Sequence, residues 1–148
     1  MKENIMKALN YLHDKGYTTQ FEDTGNIIAY NNDSNEYYKI MVSTTGEMPA
    51  MRISSDMVTY DVQYNKPLDV LALVNACNKN RPFMKFTMNL VEAGDYALVR
   101  GGNPEDLVFM SIEAEVLTFF GTSEQMLIIL DDALSSFKSA KESMPDKI

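Results

Sequence analysis

Apolar residues along this chain change their spacing in a regular order, and that order restricts the folds open to it. They recur at helical intervals over residues 2–15, 67–80 and 122–141, and at every second position through much of the sequence between. The first spacing builds amphipathic helices and the second builds strands with one face covered. Strands grouped between three helices predict an α+β protein: an antiparallel β-sheet with helices at the N-terminus, middle and C-terminus, ordered α-β(3-4)-α-β(2-3)-α.

In the first stretch Ile5, Leu9 and Leu12 share a face, with Met1 and Ala8 beside them and Lys7, Asn10 and Tyr11 opposite. Gly16 supplies the left-handed residue that commonly ends a helix. The second stretch opens at Pro67, a residue suited to a first helical turn. Its apolar residues Leu68, Val70, Leu71, Leu73, Val74 and Cys77 point to nearly every side, which predicts a helix covered by more than one neighbour. It ends near Asn80, because Pro82 disfavours helix at Arg81. The third stretch begins with a capping box, Thr122 and Gln125, and carries Met126, Leu130, Ala133, Phe137 and Ala140 as one stripe. Residues 142–148, with Pro145 among them, are expected to form a frayed tail.

Between these helices, residues 18–22 and 26–30 flank Asp23-Thr24-Gly25, a hairpin turn. A polar loop over 31–35 leads to a strand over 37–43, a turn at Thr45-Gly46-Glu47 and a strand over 48–57. In that last strand Met51, Ile53 and Ser55 alternate with Arg52, Ser54 and Asp56. Residues 58–65 show no period that assigns them. Residues 83–91 and 95–100 pair around Glu92-Ala93-Gly94, Gly101-Gly102 breaks the pattern, and Asn103-Pro104-Glu105-Asp106 fits a type I turn. Over 107–118, Val108, Met110, Ile112, Ala114 and Val116 alternate with Ser111, Glu113 and Glu115, which reads as a strand. A helix capped by Asn103 with Pro104 in its first turn is the competing reading.

The 148 residues suit one domain, 1–148, and 45% hydrophobic content is enough for a core without disulfides or a structural metal. A net charge of −8 and a pI of about 4.6 argue against nucleic acid and against anionic membrane surfaces, both of which select clustered Lys and Arg. Cys77 is the only cysteine, so no internal disulfide forms. The opening residues carry charges where a secretion signal needs an apolar core, and no apolar run approaches the ~20 residues of a spanning helix. A cytoplasmic location is expected, and the Asn32-Asp33-Ser34 glycosylation pattern carries no weight without a secretion signal.

No catalytic, cofactor or metal constellation emerges. Asp23-Thr24-Gly25 is the tripeptide of aspartic proteases, but Glu22 and Asn26 replace the apolar and small residues expected around it, and terminal helices do not suit that fold. His13, the only histidine, lies at the edge of an apolar stripe and reads as a surface residue. Cys77 sits near a helix C-terminus, where the dipole disfavours thiolate, and is expected to be buried and inert. Glu105-Asp106, Asp131-Asp132 and the pair Glu113 and Glu115 lack the converging oxygens of a calcium or magnesium site. Asp33-Ser34-Asn35 begins like a calcium loop, but Tyr37 stands where a ligand is needed. Gly101-Gly102 lacks the lysine and helix of a phosphate loop, and no Gly-x-Ser-x-Gly elbow is present.

Two features suggest contact with another protein. The chain has 11 methionines, adaptable side chains favoured at promiscuous surfaces as well as in core gaps. In Met126-Leu127-Ile128-Ile129-Leu130 the helix is apolar all round, and Ile128 lies on the side otherwise held by Asp131, Asp132, Ser135 and Ser139. Ile128, with Leu127 beside it, is the candidate interface.

The Met6–Gly16 stretch with its Gly16-Tyr17 exit, the run Leu73-Val74-Asn75-Ala76-Cys77-Asn78 leading to Arg81-Pro82-Phe83-Met84-Lys85, and Gly121-Thr122-Ser123-Glu124 resemble the YbjN-like family, of the type III secretion chaperone-like fold. The resemblance implies a helix-covered antiparallel sheet, frequently paired as a homodimer. Chaperone relatives bind unfolded segments of secreted proteins, and the family supplies no catalytic residue. Physically, Asn75 and Asn78 are suited to bonding loose backbone groups at a helix end. The expectation is therefore a non-enzymatic, homodimeric protein-binding or chaperone-like module. The alternative is a small-molecule-binding regulatory domain whose concave sheet face is lined by Tyr37, Phe86 and Phe109.

Overall fold

The computed structural model describes residues 2–43, 49–94 and 106–148. Its elements run α1 (Lys2–Asp14), β1 (Thr18–Phe21), β2 (Asn26–Asn31), β3 (Glu36–Ser43), β4 (Ala50–Asp61), α2 (Pro67–Asn80), β5 (Lys85–Glu92), β6 (Leu107–Phe119) and α3 (Ser123–Ser143). The strands form a six-stranded antiparallel sheet in the order β1-β2-β3-β4-β6-β5, so the α+β layout with helices at the N-terminus, middle and C-terminus holds. The expected turn at Thr45-Gly46-Glu47, the strand over 95–100, Gly101-Gly102 and most of the turn after it lie outside the described residues.

Residues 107–118 are strand, not helix. Met110, Ile112 and Ala114 are fully buried while their neighbours keep partial exposure, a period of two that a helix cannot satisfy. β4 extends to Asp61, beyond the expected end at 57. Its burial alternates down to Met57 and then slips by one residue to reach Tyr60, which is why 58–61 carries no simple period in the sequence.

The chain divides into two compact units, a division that length and composition do not signal. The first comprises Met1–Ser55 and Glu115–Ala140. Here β1 pairs with β2 across the Asp23-Thr24-Gly25 turn, where Gly25 takes φ +90° and its N–H donates to the Glu22 carbonyl at 2.9 Å. β2 pairs with β3, and β3 with the first half of β4. Ala8 and Leu12 of α1, Ile27 and Ala29 of β2, Tyr38 and Ile40 of β3, and Met126, Leu130 and Phe137 of α3 are among its buried residues. The predicted stripe on α3 is wholly buried, whereas on α1 Ala8 and Leu12 are buried and Ile5 and Leu9 keep partial exposure.

Two helix ends in this unit follow their local chemistry. Gly16 adopts φ +91°, its N–H donates to His13 O at 3.0 Å, and the Tyr17 N–H donates to Leu12 O at 2.9 Å, the paired bonds of a glycine-terminated helix. At the start of α3, Thr122 Oγ1 accepts the Gln125 N–H at 3.2 Å, while Gln125 Oε1 accepts the Gly121 and Thr122 N–H groups at 2.8 and 3.1 Å. The capping box is thus complete in both directions.

The second unit comprises Asp56–Ala114 and Lys141–Ile148. Val70 and Val74 of α2, Met84, Phe86 of β5, and Met110 and Ile112 of β6 are buried within it. The expectation that α2 is covered on several sides is not met. Only Val70 and Val74 are buried, and Leu68 and Leu71 stand 78% and 42% exposed. All-round apolarity marks residues that need covering and does not say what covers them.

Residues 144–148 depart from the expected frayed tail. The Tyr60 hydroxyl donates to Pro145 O at 2.7 Å, the Ile148 N–H donates to Asn65 Oδ1 at 3.1 Å, and Lys147 Nζ lies 5.7 Å from the Tyr64 ring centre. Asn65 is itself buried and held by its own amide bond to Asp61 O. Partners at the end of β4 and in the turn to α2 thus offset the entropy of ordering these residues.

Candidate functional site

The candidate interface residues lie where α3 leaves its cap. Ile128 is 62% exposed, Leu127 is partly exposed, and Phe119 at the end of β6 is 61% exposed. Phe119, Phe120, Gly121, Gln125, Ile128 and Ile129 line an apolar groove of ≈380 Å³. The capping box positions this groove. Its side-chain and backbone bonds fix the direction in which Gln125 and the first turn of α3 depart from Phe120. A Cβ on Gly121 would meet Gln125 Oε1 at 2.9 Å, so glycine leaves that amide free to close the cap.

A second feature of the same unit is polar. Glu36, at the start of β3, collects three hydroxyls: Tyr17 and Tyr38 each donate to Oε1 at 2.8 Å, and Ser34 donates to Oε2. Asn31 bends the preceding loop by accepting the Asp33 and Ser34 N–H groups at its Oδ1, at 3.0 and 3.3 Å. Burial pushes the Glu36 carboxyl up, but Ser34, Tyr17, Tyr38 and the charge of Lys138 outweigh it and hold the group below its ordinary value. Burial, and then the bonds to Glu36, push the Tyr17 and Tyr38 hydroxyls well above theirs. Close by, the Tyr11 hydroxyl donates to Asp131, and burial together with that bond raises it in the same way. None of Tyr11, Tyr17, Glu36 and Tyr38 stands out in the sequence as a site residue. Tyr11 reads as the polar side of α1, and no motif links residues so far apart in the chain.

The residues singled out for chemistry are dispersed. Asp23 is exposed in its hairpin turn. His13 Nε2 is 2.7 Å from Thr19 Oγ1, also at the surface. Cys77 is half-buried, and burial raises its thiol despite the opposing charge of Arg81. The two acids of β6 have separate partners: Glu113 accepts from Asn89 Nδ2 at 3.3 Å in the second unit, and Glu115 faces Arg52 at 3.6 Å in the first. Among the described residues no three His, Cys, Asp or Glu side chains come together, and no helix is long and apolar enough to cross a membrane. Of the aromatics expected to line a concave face, Phe86 is buried core, while Tyr37 and Phe109 are exposed.

No family model, curated protein or solved structure matches the chain.

Proposed function

We propose that this protein is a non-enzymatic, chaperone-like module that binds an apolar segment of another protein and acts as a homodimer. The observation that carries the reading is the groove between Phe119 and Ile128. Two large apolar side chains, each about three-fifths exposed, flank a concave apolar surface at a helix start closed by a capping box. Such a surface gains most from an unfolded or extended segment whose own apolar side chains lack cover. The resemblance to the YbjN-like family and the secretion chaperone-like fold agrees with this reading.

The homodimer rests on α2. Leu68 and Leu71 form an apolar face in water, and a second copy presenting the same face covers both at once, as a two-fold interface does. The acidic surface keeps such a module soluble between encounters.

Turbidity of dithiothreitol-reduced insulin, whose B chain aggregates through apolar segments, tests the binding function. Equimolar wild-type protein is expected to slow aggregation severalfold and Ile128→Asp to lose most of that effect. Equal traces with and without the wild type, or with wild type and variant, would remove the groove from the account.

A further inference from the structure

We infer that a polar cavity of the first unit is a binding site for a small zwitterion of the free α-amino-acid class. The cavity measures ≈340 Å³, inside the roughly 300–1,000 Å³ range of small-molecule sites. Tyr11 enters it from the last turn of α1 and Lys15 from just beyond that helix, Asp131 and Lys138 from positions two turns apart on α3, and Asn31 and Glu36 from either side of the β2–β3 turn.

The hydrogen-bonding state of these groups selects the ligand. Glu36 is occupied by three hydroxyls and offers little to a further donor. Asp131 has one oxygen engaged by Tyr11, and among the described residues no donor reaches the other. The donors are less engaged. Lys15 lies 5.8 Å from the Tyr11 ring centre, and among the described residues no carboxylate comes within ion-pair distance of Lys15 or Lys138. The Asn31 carboxamide accepts two backbone N–H groups through its oxygen, which leaves its NH₂ free to donate. The open groups are therefore two ammoniums and an amide NH₂ on one hand, and one carboxylate oxygen on the other.

A ligand with an oxyanion meets the first set, and a ligand with an ammonium meets the second. Two cations and two carboxylates also make the lining neutral, so a dianion such as phosphate leaves the filled site with two excess negative charges, while a neutral zwitterion leaves it balanced. The ligand's carboxylate lies toward Lys15 and Lys138, its ammonium meets the open oxygen of Asp131, and Leu134 and the Tyr11 ring provide an apolar wall. This site is separate from the groove at Ile128, and the two proposals fail independently.

The test is isothermal titration of the whole protein with each of the twenty free L-amino acids, with propionate, propylamine and inorganic phosphate as single-function controls. At least one amino acid is expected to bind saturably and the controls at least about tenfold more weakly. Lys138→Met and Asp131→Asn are each expected to lower its affinity about tenfold. Asparagine still accepts the Tyr11 hydroxyl, and both positions are exposed, so the variants fold. The proposal is overturned if no amino acid binds at about 10 mM, if a control binds as tightly as the best amino acid, or if both variants bind unchanged.

Discussion

The carboxamide of Asn78 bonds both backbone groups of Phe86: its Oδ1 accepts the Phe86 N–H at 2.8 Å, and its Nδ2 donates to the Phe86 carbonyl at 3.0 Å. A side chain in the last turn of α2 therefore serves the start of β5 as a neighbouring strand would. Asn78→Ala leaves two peptide groups of a buried residue unmatched and is expected to cost about 2 kcal/mol. Asn78→Asp keeps the acceptor and turns the donor into a second acceptor facing a carbonyl. It is expected to destabilise at least as much at neutral pH and to recover partly on acidification. Urea unfolding of the three proteins at two pH values checks both statements.

The hydroxyl cluster on Glu36 makes stability depend on pH in a defined direction. The folded carboxyl sits below its ordinary value, so it binds its proton more weakly in the folded chain than in the unfolded one. Its contribution is complete above the ordinary carboxylate value and is lost as pH falls through the folded value. Glu36→Gln is expected to flatten the acid limb of the stability profile below about pH 5. Parallel acid limbs for wild type and variant would contradict the assignment.

At the alkaline end the sign reverses. Tyr11, Tyr17, Tyr38 and Tyr60 are all raised above the ordinary 10.0, chiefly by burial, so the folded state keeps protons that the unfolded state releases. Stability is retained below pH 10 and falls as pH climbs beyond it. Tyrosinate absorbance is expected to show part of the signal appearing only with unfolding, and Tyr17→Phe to reduce that late part.

The chain end offers a separate check. Tyr60→Phe removes the donor to Pro145 O and is expected to cost about 1 kcal/mol. Amide exchange in residues 144–148 should rise with little change in α3. Exchange in those residues that is already fast in the wild type would show that the bond does not hold the end in solution.

The helices and most strand positions were legible because each carries its period openly: the α3 stripe from Met126 to Ala140 and the alternation from Met110 to Ala114 are statements about which side is buried. The exposed position of Ile128 was legible for the same reason, as an apolar residue out of phase with its helix. The end of β4 was not, because the slip between Met57 and Tyr60 breaks the period. The bare side of α2 was misread because Leu68 and Leu71 show only that they are apolar. Nor could the sequence join Tyr11 to Asp131 or Tyr17 to Glu36. Those pairs depend on the Gly16 exit and the Asn31 loop bringing distant residues to one place, and a hydroxyl or carboxylate has no period to reveal it.

The proposed homodimer is tested most directly by light scattering on the eluting peak of a size-exclusion column, for wild type and for Leu68→Asp with Leu71→Asp. At high micromolar concentration the wild type is expected at twice the 16.7 kDa of one chain, and the double variant at the mass of one chain with an unchanged circular dichroism spectrum. A wild-type peak at 16.7 kDa, or a double variant that remains paired, would contradict the claim that a second copy covers the open face of α2.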